Sequence, residues 1–143
     1  MRKEIEKLLQ SVQKPARYAG GELNSVMKDK SKVALRYAFC FPDTYEIGMS
    51  HLGMKILYGV ANAREDTWCE RVFAPADDME ALMRANGEPL FALESGDPIK
   101  DFDMIGFTMQ YELSYTNILN MLDLAGAVSY THLRAHETLM NLV

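Results

Sequence analysis

The sequence predicts an α/β fold, a partial doubly wound parallel sheet truncated after its third strand–helix unit. Three observations predict it. Apolar, β-branched and aromatic runs alternate with segments of helical period, in the order strand–helix, strand–helix, strand–helix. The first run, Val33 to Phe41, is almost continuously apolar, as a strand covered on both faces must be. Glycine and proline stand singly at turns, with no internal repeat, low-complexity tract or linker.

Each element has its own signal. Over residues 2–13, Ile5, Leu8, Leu9 and Val12 fall on one helical face, and Pro15 ends the helix. Arg17 to Glu22 reads as a loop. The strand Val33–Phe41 stops at Pro42. Ser50 is the expected N-cap of a helix reaching Asn62, with Leu52, Ile56, Leu57 and Val60 as its buried stripe and Gly53 allowing close approach to a strand. Thr67–Phe73 is a second strand. Asp77 or Asp78 opens the next helix, Asp77 and Glu80 having capping-box spacing. Met79, Leu82 and Met83 face inward there, and Asn86-Gly87 stops it. Pro89–Leu93 reads as a short extended piece, and Glu94–Asp101 as a turn-rich loop. Asp103–Met109 is the third strand. Ser114–Ala125 is the third helix, with Ile118, Leu119, Leu122 and Ala125 inward and Gly126 at its end. Residues 1–29 then form an N-terminal helix and loop, and residues 30–126 the α/β domain.

Composition narrows the function classes. The chain has 143 residues, 48% hydrophobic and 24% charged, enough for one ordinary core. A net charge of −5 with mixed signs gives no strong nucleic-acid signal. No apolar run approaches the roughly 20 residues of a membrane helix, so no membrane partner is expected. The N-terminus does not read as a signal peptide. The two cysteines, Cys40 and Cys69, read as free cytosolic thiols, and the expected compartment is the cytoplasm.

Residues 128–138, Val-Ser-Tyr-Thr-His-Leu-Arg-Ala-His-Glu-Thr, resemble a read-through translation of a sequencing-library adapter. Residues 127–143 are therefore expected to be a non-native tail, to be set aside before fold reasoning. His132 and His136, spaced like a helical metal pair, fall in it. His51 is then the one native histidine.

Four segments carry a resemblance: Pro15 to Asn24, Phe41 to Gly53, Glu70 to Pro75, and Gly106 to Asn117. In this order they resemble the N-terminal region of the cobalamin-binding-domain-type radical SAM proteins, across almost all of residues 1–126. The resemblance implies a partial cobalamin-binding-like domain serving as an accessory to a radical SAM enzyme. It implies a missing C-terminal radical SAM domain as partner. In that domain a Cys-x3-Cys-x2-Cys trio would hold a [4Fe-4S] cluster that cleaves S-adenosylmethionine. This chain has no such trio, so no catalytic residue is assigned to it.

A flavodoxin-like strand order, 2-1-3, would put a ligand crevice between the first and third strands, outside their carboxyl ends. The loops there are Pro42–Gly48 and Gln110–Ser114. Asp43, Tyr45, Glu46, Gly48, Gln110, Tyr111 and Glu112 are the expected cofactor-binding residues, and no metal ligand is assigned. Cobalamin domains of the His-ligating type carry Asp-x-His-x-x-Gly after their first strand. Here the place holds Asp43-Thr44-Tyr45-Glu46-Ile47-Gly48, with tyrosine for histidine. Cobalamin, where bound, would not be held by histidine. Simpler roles compete: Asp43 and Gly48 as turn residues, Met109, Tyr111 and Tyr115 as packing residues, and Glu46 and Glu112 as solvated loop carboxylates. Two other function classes stand beside this reading: a stand-alone flavodoxin-like small-molecule-binding module, and a protein-interaction module using the N-terminal helix. The first lacks a Gly-rich phosphate loop after strand one.

Overall fold

A computed structural model describes residues 2–127. Three parallel strands form an open sheet of order β2-β1-β3: β1 (Leu35–Phe41), β2 (Thr67–Phe73) and β3 (Met104–Phe107). The register runs from Leu35↔Thr67 to Phe41↔Phe73 on one side of β1, and from Tyr37↔Met104 to Cys40↔Phe107 on the other. The fold is α/β, as the alternation predicts.

Strand alternation sends side chains to two cores. Ala38, Cys40, Val72 and Phe107 face a layer built from α1 (Lys3–Leu9), α4 (Asp77–Asn86) and α5 (Ser114–Leu124). Ile5, Leu8, Met79, Met83, Ile118 and Met121 supply that layer. Tyr37, Phe39, Phe41, Cys69 and Phe73 face the other side, under α2 (Tyr45–Ser50) and α3 (Leu52–Asn62). The crossovers β1→β2 and β2→β3 run in opposite lateral directions, and their helices lie on opposite faces, as two crossovers of one hand require. Both cysteines are free and buried, Cys40 on one face and Cys69 on the other.

Several boundaries and faces differ from expectation. The helix predicted over residues 2–13 ends at Leu9, although Val12 stays in the core. Residues 45–50, of which those up to Gly48 read as loop, form α2, and the chain breaks at His51, whose ψ of 111° is extended. The N-cap of α3 is therefore His51, not Ser50, whose hydroxyl donates back to the Glu46 carbonyl. The buried stripe of α3 is also rotated from the predicted one. Leu52, Ile56 and Val60 are 68%, 55% and 64% exposed, and Leu57 too lies outward, while Met54 and Tyr58 are buried. The reason lies in β2, which places Arg71 on this face, so the helix turns the Tyr58 ring against the guanidinium (5.0 Å). Gly53 meets only the His51 ring; Gly48 is the close approach, where a Cβ would lie 2.7 Å from Phe73 Cδ1 and 3.2 Å from Phe41 Cδ1.

The capping box at Asp77 does not form. Ala76 is the N-cap of α4. Asp78 instead accepts from the Gln13 and Met79 N–H groups at 2.8 Å each, which ties the turn after α1 to α4. Glu80 turns to Arg84 and Asn120. Gly87 stops α4 with φ of 66°, as predicted. β3 is shorter than Asp103–Met109, because the Asp103 carboxylate accepts from the Arg36 N–H (2.7 Å) and the strand begins after it. On α5, Leu119 is exposed, and Met121 and Leu124 take the inward places. Met109, Tyr111 and Tyr115 are exposed rather than packed. Of the predicted tail, Ala127 is described, its N–H donating to the Leu122 carbonyl (3.0 Å), and residues 128–143 lie outside the described residues.

Candidate functional site

The order β2-β1-β3 puts the carboxyl ends of β1 and β3 side by side. A cleft of about 300 Å³ opens there. Its floor and walls are Phe41, Pro42 and Ile47; Asp43 and His51 come from the β1 side, and Gln110, Tyr111 and Ser114 from the β3 side. The floor holds its place because Asn117 Nδ2 donates to the Pro42 carbonyl (2.8 Å) and the Ala74 N–H donates to the Asp43 carbonyl (3.0 Å). Asp43 Oδ1 accepts from the Thr44 N–H at 2.7 Å.

Of the seven residues predicted for this site, the cleft takes three: Asp43, Gln110 and Tyr111. Tyr45 and Glu46 turn elsewhere. Once residues 45–50 coil into α2, their side chains rotate off the crevice. The Tyr45 hydroxyl donates to Glu22 (2.8 Å), and its ring stands edge-on to Phe73 (5.4 Å). Burial and the Glu22 carboxylate push the Tyr45 phenol up. Glu46 accepts from Arg17 Nε (2.8 Å) with Lys14 at 3.7 Å, and the Arg17 bond holds its carboxyl below the ordinary range. Gly48 sits under Phe73 and Phe41, a packing position. Glu112 is exposed and outside the cleft lining.

His51, to which the sequence pattern assigns no site role, lines the cleft. The Met54 N–H donates to its Nδ1 (3.2 Å), and its ring lies 5.5 Å from the Phe41 ring. A neutral imidazole whose Nδ1 accepts carries its proton on Nε2. Nε2 has no hydrogen-bond partner among the described residues. His51, a lining residue of the cleft, is therefore an N–H donor at Nε2. A metal-binding histidine shows the reverse arrangement, donating its second N–H outward and ligating through a bare nitrogen. With Tyr45 bound to Glu22 and His51 held as a donor, these residues do not fit axial ligation of cobalt.

A second polar cluster, which the sequence did not reveal, lies on the α3 side of β2. Arg71 Nε donates to Glu94 Oε1 (2.6 Å), and a terminal nitrogen donates to Glu22 Oε2 (2.8 Å). Glu94 Oε2 also accepts from the Arg71 N–H (2.7 Å), and the Leu93 N–H donates to the Arg71 carbonyl (2.8 Å). This seals the outer edge of β2. Burial works against the Arg71 charge, but Glu94 and Glu22 outweigh it and hold the guanidinium above its ordinary value. On the opposite face, Arg36 is stacked over Phe102 (4.2 Å) and pairs with Glu70 (2.6 Å) and Asp97 (3.0 Å). Apart from Arg36 Nε, which is buried without a hydrogen-bond partner among the described residues, these groups satisfy one another, so the clusters read as structural.

The cysteines do not suit an iron–sulfur cluster. They lie on opposite faces of the sheet, and burial pushes both thiols up, away from the thiolate a cluster needs. Among the described residues no group of three or more His, Cys, Asp or Glu is arranged to hold a metal ion. No helix among them is long and apolar enough to cross a membrane.

The family model described as radical SAM proteins, N-terminal, matches residues 53–142. No curated protein and no solved structure matches the chain.

Proposed function

The chain belongs to the radical SAM N-terminal family, and we propose that it is the accessory α/β part of a radical SAM enzyme, non-catalytic by itself. The observation that carries the reading is the family match joined to a parallel sheet with a cleft at the carboxyl ends of β1 and β3. The [4Fe-4S] cluster and S-adenosylmethionine would belong to the remainder of the enzyme, the expected partner in the same polypeptide. The accessory part would cover that active site and shape access of a small-molecule substrate. Cobalamin, the finer form of this reading, would enter the crevice without a histidine ligand, because His51 offers a donor there.

Two surface features support a partner in the same polypeptide. The stripe Leu52, Ile56 and Val60 is apolar, outward and at helical spacing, as a face awaiting another helix would be. α5 lies on the same face as α4. A same-handed crossover through it would deliver a following strand to the outer edge of β3. The compartment proposed is the cytoplasm, where such clusters are kept reduced.

Sequencing the source locus past the codon for Ala127 tests the assignment. An open frame that continues through further strand–helix units to a Cys-x3-Cys-x2-Cys segment supports it. A genuine stop near Val143 overturns it and leaves a stand-alone module.

A further inference from the structure

The chemistry of the cleft points to a class of ligand. Among the described residues no lysine or arginine lines it, and Asp43 brings the one carboxylate. With Oδ1 committed to the Thr44 N–H, Asp43 has Oδ2 left to accept from a ligand. Donors line the same cleft. His51 offers Nε2–H, by the tautomer its cap imposes. Ser114 is 2% exposed, lines the cleft, and its hydroxyl has no partner among the described residues. Ser114 also opens α5, an eleven-residue helix without a side-chain cap, so the positive end of the helix faces the same space.

An anion would meet the Asp43 carboxylate with no cation to offset it, and a metal would meet donors rather than lone pairs. A neutral ligand with an N–H donor beside a carbonyl acceptor satisfies both kinds of group. The volume lies at the small end of ligand sites, enough for one planar ring system between Phe41, Pro42 and the exposed ring of Tyr111. We propose that the cleft binds a neutral lactam-bearing heterocycle of the nucleobase class, its ring N–H donating to Asp43 and its carbonyl accepting from Ser114 and His51. This rests on reading the crevice as the ligand site of the accessory domain.

The test titrates the full 143-residue chain with guanosine and with 1-methylguanosine, which lacks the ring N–H, following amide and side-chain NMR shifts of Asp43, His51, Gln110 and Ser114. The expected result is saturable guanosine binding that methylation weakens by about tenfold or more, the range for losing a hydrogen bond to a charged group. Asp43→Asn keeps an oxygen for the Thr44 N–H and should abolish the difference between the two nucleosides. A thermal melt of that variant matching the parent excludes misfolding as the cause. Equal binding of the two nucleosides, or no saturable shift up to the solubility limit, overturns the proposal. Inorganic phosphate or cobinamide saturating these same signals while guanosine does not also overturns it, yet keeps the crevice as the ligand site of the domain.

Discussion

Replacing Arg71 with methionine should be among the most damaging single changes available to this fold. The methionine keeps an apolar stem against Tyr58 but removes the guanidinium between Glu94 and Glu22. Glu94 is 1% exposed at its side chain, so its carboxylate would be left buried without a cation. Removing one partner of a buried pair costs about 3–5 kcal/mol. Against a domain stability of roughly 5–15 kcal/mol, that is a large share. In urea, with a slope of about 2 kcal/mol per molar, the midpoint should fall by roughly 1.5–2.5 M with the slope unchanged. Adding Glu94→Gln should recover much of the loss. Glutamine can still accept from the Arg71-position N–H, and the unpaired charge is gone. The pH dependence supplies a second readout. Burial pushes the Glu94 carboxyl above its ordinary value of 4.5, and losing the Arg71 guanidinium removes the largest opposing influence, leaving the residue-71 N–H and Tyr58. A carboxyl raised in the folded state contributes stability at low pH that is lost as pH rises through the raised value. The gap between parent and variant should therefore narrow as pH is lowered from neutrality toward 4.5. A loss below about 1 kcal/mol for Arg71→Met, or strict additivity with Glu94→Gln, where contacting residues should couple, would refute the account of this cluster.

Four further outcomes are expected. Gly48→Ala should cost about 1–3 kcal/mol by overpacking, because the new methyl presses on the buried Phe73 and Phe41 rings; Phe73→Leu in the same chain should return part of it, read as a melting temperature. His51→Ala should cost about 1 kcal/mol through the lost cap of α3, whereas His51→Asn, itself a good cap, should stay within a few tenths. Lysine at both Ile56 and Val60 should change stability by no more than about 0.5 kcal/mol each, since both are exposed; a collapse on denaturant titration would mean that the stripe is buried after all. Asp78, bound by the Gln13 and Met79 N–H groups, and Glu22, where hydrogen bonds and Arg71 outweigh burial, both sit below their ordinary values of 3.8 and 4.5. Carboxyls lowered in the folded state contribute stability above the ordinary value and lose it as pH falls through the lowered one. The acid limb of the stability curve should flatten in Asp78→Asn, and a limb of unchanged steepness would remove Asp78 from it.

The sheet was legible because it rests on redundant signals. Val33–Phe41 is apolar but for Arg36, Thr67–Phe73 is rich in aromatic and β-favouring residues, and the helices between them are long enough to be crossovers, so the α/β class follows from pattern alone. The face of α3 was not legible for the same reason that the sheet was. Its sequence, Leu-Gly-Met-Lys-Ile-Leu-Tyr-Gly-Val-Ala-Asn, offers apolar residues on more than one side. Periodicity selects Leu52, Ile56 and Val60 with equal justice to Met54 and Tyr58. What decides is Arg71, a charge on a neighbouring strand that must be covered by a ring and held by Glu94 and Glu22 from two distant loops. No local window contains that information.

The candidate site was legible in position and not in membership. Strand order locates a crevice to within a loop, which is why Asp43, Gln110 and Tyr111 fall in it. Which side chains of a loop face the crevice depends on its backbone, and residues 45–50 form a helical turn that carries Tyr45 and Glu46 round to Glu22 and Arg17. The match of Asp43 and Gly48 to a histidine-ligating spacing invites a question about position 45 that the fold answers elsewhere. The imidazole at the crevice is six residues further on, and its role follows from one hydrogen bond. Because the Met54 N–H already occupies Nδ1, His51 can give a proton to a ligand's oxygen while the cap stands. It can accept a metal at Nε2 only by surrendering the cap of its own helix. The two chemistries exclude each other at this residue, and the folded chain favours the first.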